Sequence, residues 1–98
     1  MQCVKFDINE QDTLLCPKCD GDYLHHGKVE IFDRNEDAIY GLYTIVSSRK
    51  IQSENCALVG NPSMRRDGIK IHFYCEHCQA DLTLAIAQHK GQTLIKWI

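Results

Sequence analysis

The stretch Ile69-Lys70-Ile71-His72-Phe73-Tyr74-Cys75-Glu76-His77-Cys78 decides the fold. Ile69, Ile71 and Phe73 alternate with Lys70, His72 and Tyr74, the period of a strand that buries one face. This strand runs directly into a Cys-x-x-Cys unit. A second unit, Cys16-Pro17-Lys18-Cys19, lies about 55 residues upstream. A Cys-x-x-Cys turn holds two sulfurs on one side of a tight knuckle, where backbone amides donate to the thiolates. Two facing knuckles complete a tetrahedron. The spacing therefore predicts one structural Zn²⁺ held by Cys16, Cys19, Cys75 and Cys78. Iron on the same four ligands is the main competitor. A thioredoxin-type redox pair lacks the βαβ context it needs. Cys3 and Cys56 have no partner by spacing and read as small packing hydrophobes.

Outward from this stretch the chain continues to read as strands. Leu82, Leu84 and Ile86 alternate, His89-Lys90-Gly91-Gln92 reads as a hairpin turn, and Thr93 to Ile98 forms a last strand carrying Trp97. Upstream, Tyr23 to Arg34 is strand-like and Asn35-Glu36-Asp37 turns the chain. Ile39 to Val46 is nearly continuous in apolar character, which predicts a central strand buried on both faces. Cys3 to Ile8 reads as an N-terminal strand followed by the turn Asn9 to Asp12. Ser47 to Gly68 has no clear period and reads as a long loop, with a short ordered piece at Cys56-Ala57-Leu58-Val59. No helical stripe exceeds two turns. The expected fold is all-β: a small antiparallel sheet or sandwich of about six or seven strands with zinc knuckles at one end.

At 98 residues the chain is expected to form a single domain, residues 1–98. A domain this small gains most from a staple, and a metal that closes a long loop supplies one. The N-terminus shows no basic segment followed by an apolar run, so a cytoplasmic location is expected. The net charge of −2 argues against histone-like binding of nucleic acid. Charge is nevertheless segregated: residues 1–40 hold nine acidic and four basic side chains, residues 41–98 four and seven.

The two knuckles and their adjoining strands resemble the zinc-ribbon class, whose Cys-x-x-Cys units sit on β-hairpins. In that class a glycine commonly follows the second cysteine, whereas Asp20 and Gln79 stand there in this chain. The whole sequence also resembles a group of small bacterial and phage proteins. The resemblance rests on Tyr23-Leu24-His25-His26-Gly27, Asn61-Pro62-Ser63, Arg65-Arg66-Asp67-Gly68, Phe73-Tyr74-Cys75-Glu76, and Gln88-His89-Lys90-Gly91 with Trp97. It implies an intact single-domain protein linked to mobile elements, and no activity.

Four cysteines around one zinc leave no position for water or substrate, so the expected function is non-enzymatic. The chain reads as a structural-zinc module that binds another macromolecule, a protein first. Nucleic acid is the alternative, bound through a loop carrying Arg49, Lys50, Arg65 and Arg66, whose planar arginine forks suit phosphate. The knuckle at Cys75 is expected to anchor one end of that loop. The bland reading of the same arginines is pairing with the acidic first half. A weaker third reading is a metal-dependent nuclease, from Gln88-His89-Lys90 with Asp67, Glu76 and Asp81. His25-His26 should point to opposite faces of a strand and so should not chelate together. His77, inside a knuckle, is expected to shield the site.

Overall fold

The computed structural model describes residue 4, residues 6–7 and residues 12–98. The expectation for Cys3 lies outside these residues. The described residues hold eight strands and no helix. They are β1 (Phe6–Asp7), β2 (Thr13–Leu14), β3 (Leu24–Asp33), β4 (Tyr40–Ser47), β5 (Lys50–Ala57), β6 (Gly68–Cys75), β7 (Asp81–His89) and β8 (Gln92–Trp97). β1 and β2 form a small antiparallel pair. The other six make one antiparallel sheet in the order β5-β4-β3-β6-β7-β8. No helix is long and apolar enough to cross a membrane.

Two sequence expectations are corrected. The segment from Ser47 to Gly68 is not one loop, because β5 occupies Lys50 to Ala57 and pairs with β4 along its whole length. Ser47 and Lys50 face each other across Ser48 and Arg49, with φ of 53° and 65°, a two-residue turn with both centres left-handed. β5 escaped detection because it is an edge strand with polar residues on both faces. The strand from Ile39 to Val46 is not central either. β4 lies second from the edge, and Tyr40, Leu42 and Val46 remain exposed.

The alternation of β6 sets the two faces of the sheet. One face carries Ile69, Ile71, Phe73 and Cys75. At its knuckle end lies the main core: Cys16, Cys75, Leu82, Leu84 and Trp97, with Val4, Leu14, Leu24 and Phe73 packed against them. Phe73 and Trp97 meet edge to face at 5.8 Å. The opposite face is covered at its other end by residues 58–67. Phe32, Gly68 and Ala87 lie in one row across β3, β6 and β7. The missing side chain at Gly68 makes room for Asn61 and Pro62, which any Cβ there would strike.

That second face also carries a polar cluster. Glu30 accepts from the Tyr43 hydroxyl at 2.7 Å and lies 2.7 Å from His72 Nε2, while Thr83 Oγ1 lies 3.2 Å from His72 Nδ1. Burial pushes the Glu30 carboxyl up, but its bonds to His72 and Tyr43 outweigh that and hold it below the ordinary glutamate value. A depressed carboxyl stabilises the fold above its unfolded value, and that contribution is lost as pH falls through the folded value. Glu30→Gln should therefore lose less stability than the native chain between about pH 5 and about pH 2, measured by urea unfolding at each pH. Equal losses would show that Glu30 contributes nothing to the acid limb.

Candidate metal centre

Each knuckle is a closed turn with the same wiring. In the first, Asp20 N–H donates to Cys16 O at 2.9 Å and Cys16 N–H to Gly21 O at 2.9 Å. In the second, Gln79 N–H donates to Cys75 O at 2.9 Å and Cys75 N–H to Ala80 O at 3.0 Å. Asp20 and Gln79 sit at φ of 59° and 62°. The residue after the second cysteine is thus left-handed in both turns, although neither is glycine. Aspartate tolerates this region better than most residues.

The two turns bring four sulfurs together. Cys16 Sγ and Cys78 Sγ are 3.8 Å apart, Cys19 Sγ and Cys75 Sγ 3.6 Å, and all four lie within 4.8 Å of one another. A tetrahedral Zn–S length of about 2.3 Å requires S···S separations of about 3.8 Å. A disulfide needs about 2.05 Å, and all four cysteines are free. The donor set therefore fits a tetrahedral thiophilic ion, and these four cysteines are positioned to hold a metal. They form the one such group among the described residues.

Backbone amides prepare the sulfurs for negative charge. Lys18 N–H points at Cys16 Sγ at 3.4 Å, Gly21 N–H at Cys19 Sγ at 3.4 Å, and Cys78 N–H at Cys75 Sγ at 3.5 Å. The Cys78 amide leads in lowering the Cys75 thiol to about 6. At Cys19 the Gly21 amide also lowers, but burial and the crowding of the other three sulfurs win and push it up to about 12. Four sulfurs this close cannot all ionise by themselves. A divalent cation removes the conflict by neutralising the charge they share.

Cys16 and Cys75 are fully buried, whereas Cys19 and Cys78 are exposed. The inner pair is continuous with the hydrophobic core, and the outer pair faces solvent. The His77 ring lies over Gly21 of the opposite knuckle, where any Cβ would strike it. It stacks on Tyr23 at 5.2 Å, and its Nε2 is 3.2 Å from Asp22 Oδ1. His77 thus links the two knuckles from outside and is not a member of the ligand group. His25 lies opposite Tyr74 and His26 opposite Phe73, on alternate faces and both exposed.

The basic side chains expected to share a loop do not. Arg49 is in the turn between β4 and β5, and Lys50 opens β5, in the knuckle half of the sheet. Arg65 and Arg66 precede β6, at the end opposite Cys75, so the length of β6 separates them from the metal centre. They face the turn after β3. Arg65 pairs with Asp37 and Arg66 with Glu36, the latter at 2.8 Å. The Arg65 guanidinium leads in holding the Asp37 carboxyl below its ordinary value.

The acids of the nuclease-like reading separate as well. Asp67 accepts from the Arg34 amide at 2.9 Å beside Gln88, while Glu76 and Asp81 lie at the knuckle end. Sequence reading missed Arg34, which organises the Arg65–Arg66 segment. Its guanidinium donates to the carbonyls of Ala38 at 2.9 Å, Ser63 at 2.9 Å and Arg66 at 3.2 Å. Cys56 is half-buried on β5, beside a cavity of about 240 Å³ lined also by Glu30, Phe32, Tyr43 and Glu54.

No protein-family model matches the chain, and no curated protein or solved structure matches it either. The functional reading rests on the geometry of the site.

Proposed function

We propose that the chain is a non-enzymatic module, braced by one structural Zn²⁺, that binds another protein. The observation that carries this reading is the four-sulfur cluster: every tetrahedral position is taken by a cysteine, which leaves none for a reacting molecule. Bound there, zinc supplies a cross-link between the chain before β3 and the turn after β6. Thiolates persist in a reducing compartment, which makes the cytoplasm the natural setting.

A protein partner is favoured over nucleic acid by what the surface offers. Arg65 and Arg66 are matched by Glu36 and Asp37, and Arg49 and Lys50 are far from them. The sheet meanwhile leaves Ile31, Leu42, Val46, Ile51 and Ile95 exposed on the face that bears the core. Contiguous exposed apolar surface marks a protein contact.

Elemental analysis of the purified reduced protein should give about one zinc per chain, with none of the visible absorption of a ferric thiolate centre. The same protein should pass through a DNA column at low salt. Retention that weakens as salt rises would return the nucleic-acid reading. A well-folded protein with no metal would end the zinc reading.

A further inference from the structure

The register carries the apolar face across all six strands. One row reads Ile51, Val46, Val29, Ile71, Leu84, Trp97 from β5 to β8. The next row on the same face reads Ser53, Thr44, Ile31, Ile69, Ile86, Ile95. Neither row contains a charge. Exposure climbs steadily along the first row: Trp97 5% and Leu84 7%, then half-buried Ile71 and Val29, then Val46 38% and Ile51 73%. The gradient has a plain cause. Val4, Leu14 and Cys16 lie over the β6–β8 half of this row, and among the described residues nothing lies over the β4–β5 half. In the second row Ile31 is 38% and Ile95 48% exposed.

Among the described residues the apolar face of the six-stranded sheet thus lacks a second layer over its β4–β5 half, whereas stable domains pack at least two layers. We infer that the missing layer is the same face of a second copy of this chain, in a two-fold symmetric dimer. This inference rests on the reading of the chain as a metal-braced, protein-binding module.

Three features select a second copy as the occupant. The first is charge. Two rows without charges give a foreign partner no electrostatic handle there and let the rows meet themselves without repulsion. The second is shape. β3 and β6 are the two central strands. A two-fold axis along the strands, between β3 and β6, lays β5 and β4 of one copy over β8 and β7 of the other. Each copy's N-terminal cover then falls against the uncovered Val46 and Ile51 of its mate. The step on one face fills the gap on the other, and the isoleucine rows face each other across the two-fold axis. The third is area. Six strands about 4.8 Å apart and five residues long give a projected face of roughly 400–500 Å² per copy. The two copies together give roughly 800–1,000 Å², close to the roughly 1,000 Å² that marks a specific interface.

The symmetry places Ile31 of one copy against Ile69 of the other, which sets the test. The zinc-loaded full chain should sediment at twice the chain mass. Ile31→Lys and Ile69→Glu, each alone, bury unpaired charges at both ends of the contact and should weaken association at least about 100-fold, with zinc content unchanged. An equimolar mixture of the two variants should regain the dimer, because lysine then meets glutamate once and isoleucine meets isoleucine once. Regain also proves that both variants fold. If either variant loses zinc, Ile51→Lys and Ile95→Lys, at more exposed positions, take its place and should also give monomers. A native chain that stays monomeric at millimolar concentration overturns the inference. So does a dimer that these variants leave intact, or one on which a foreign protein displaces the second copy. A monomer with one zinc per chain leaves the proposed function standing with another partner, whereas a folded chain without metal removes that function itself.

Discussion

Cys75→Ser will yield a chain that holds no metal and has no cooperative unfolding transition at 25 °C. Cys75 has no exposed surface and ends β6, a central strand of the sheet. It belongs at once to the sulfur cluster and to the hydrophobic core with Leu82, Leu84 and Trp97. A structural zinc site supplies apparent free energies of order 10 kcal/mol. The whole stability of a domain this size is about 5–10 kcal/mol. The described core is small, and its two largest fully buried side chains are Cys16 and Cys75 themselves. Apolar burial therefore cannot offset the loss of the metal. Cys19 and Cys75 lie 56 positions apart, so the lost cross-link also frees a long segment in the unfolded chain. A strong chelator added to the native protein should reproduce the result. Cys56→Ser provides the contrast: this thiol lies on β5 outside the cluster, and the variant should keep its metal at a cost of about 1–2 kcal/mol. Metal content by elemental analysis and unfolding by circular dichroism check both. A Cys75→Ser chain that melts cooperatively within a few degrees of the native protein would show that the metal does not brace the fold.

The four-cysteine cluster was readable because the signal is local and chemical. Two Cys-x-x-Cys units pair their sulfurs wherever the intervening chain goes, and the alternation before Cys75 fixes the strand that presents one of them. Strand order was not readable. Ile39 to Val46 is apolar enough for a central strand, yet β4 lies next to the edge, and its apolar side chains stay exposed because half of the apolar face is left uncovered. β5 left no trace, since Lys50, Gln52, Ser53, Glu54 and Asn55 are all exposed and its tie to β4 is made by backbone groups that every sequence possesses. The turn between β4 and β5 was equally quiet, because Ser48 and Arg49 take positive φ without being glycine, whereas the turns at Asn35-Glu36-Asp37 and at His89-Lys90-Gly91-Gln92 were readable. Segregation of charge along the chain did carry information. The acidic first half and the basic second half meet where Glu36 and Asp37 face Arg65 and Arg66.

Arg34 is the residue that sequence reading passed over, and its replacement has the second largest expected effect. Its guanidinium ties three carbonyls from separate positions: Ala38 in the turn before β4, and Ser63 and Arg66 in the segment before β6. Its own amide donates to Asp67 Oδ1. The segment is further tied by the Ser63 hydroxyl, which donates to Gln88 O at 2.8 Å, and by Asn61 Nδ2, which donates to Arg66 O at 2.8 Å. Hydrogen bonds to a charged group contribute about 1.5–3 kcal/mol each when partly buried, and the loss of three is not fully additive. Arg34→Ala should therefore cost about 3 kcal/mol, or a fall in Tm of roughly 12–20 °C for a chain of this length. Arg34→Lys should recover less than half, because an ammonium is a single point and cannot reach three carbonyls held around a planar fork. Arg65→Ala, at a half-exposed and solvent-screened ion pair, should cost far less than Arg34→Ala. All three variants should keep their metal, since β6 and β7 run the length of the sheet between this end and the cysteines. Amide exchange should quicken across residues 58–67 in Arg34→Ala while the amides of the two knuckles stay protected. A variant within about 0.5 kcal/mol of the native chain would mean that Asn61 and Ser63 hold the segment without the guanidinium.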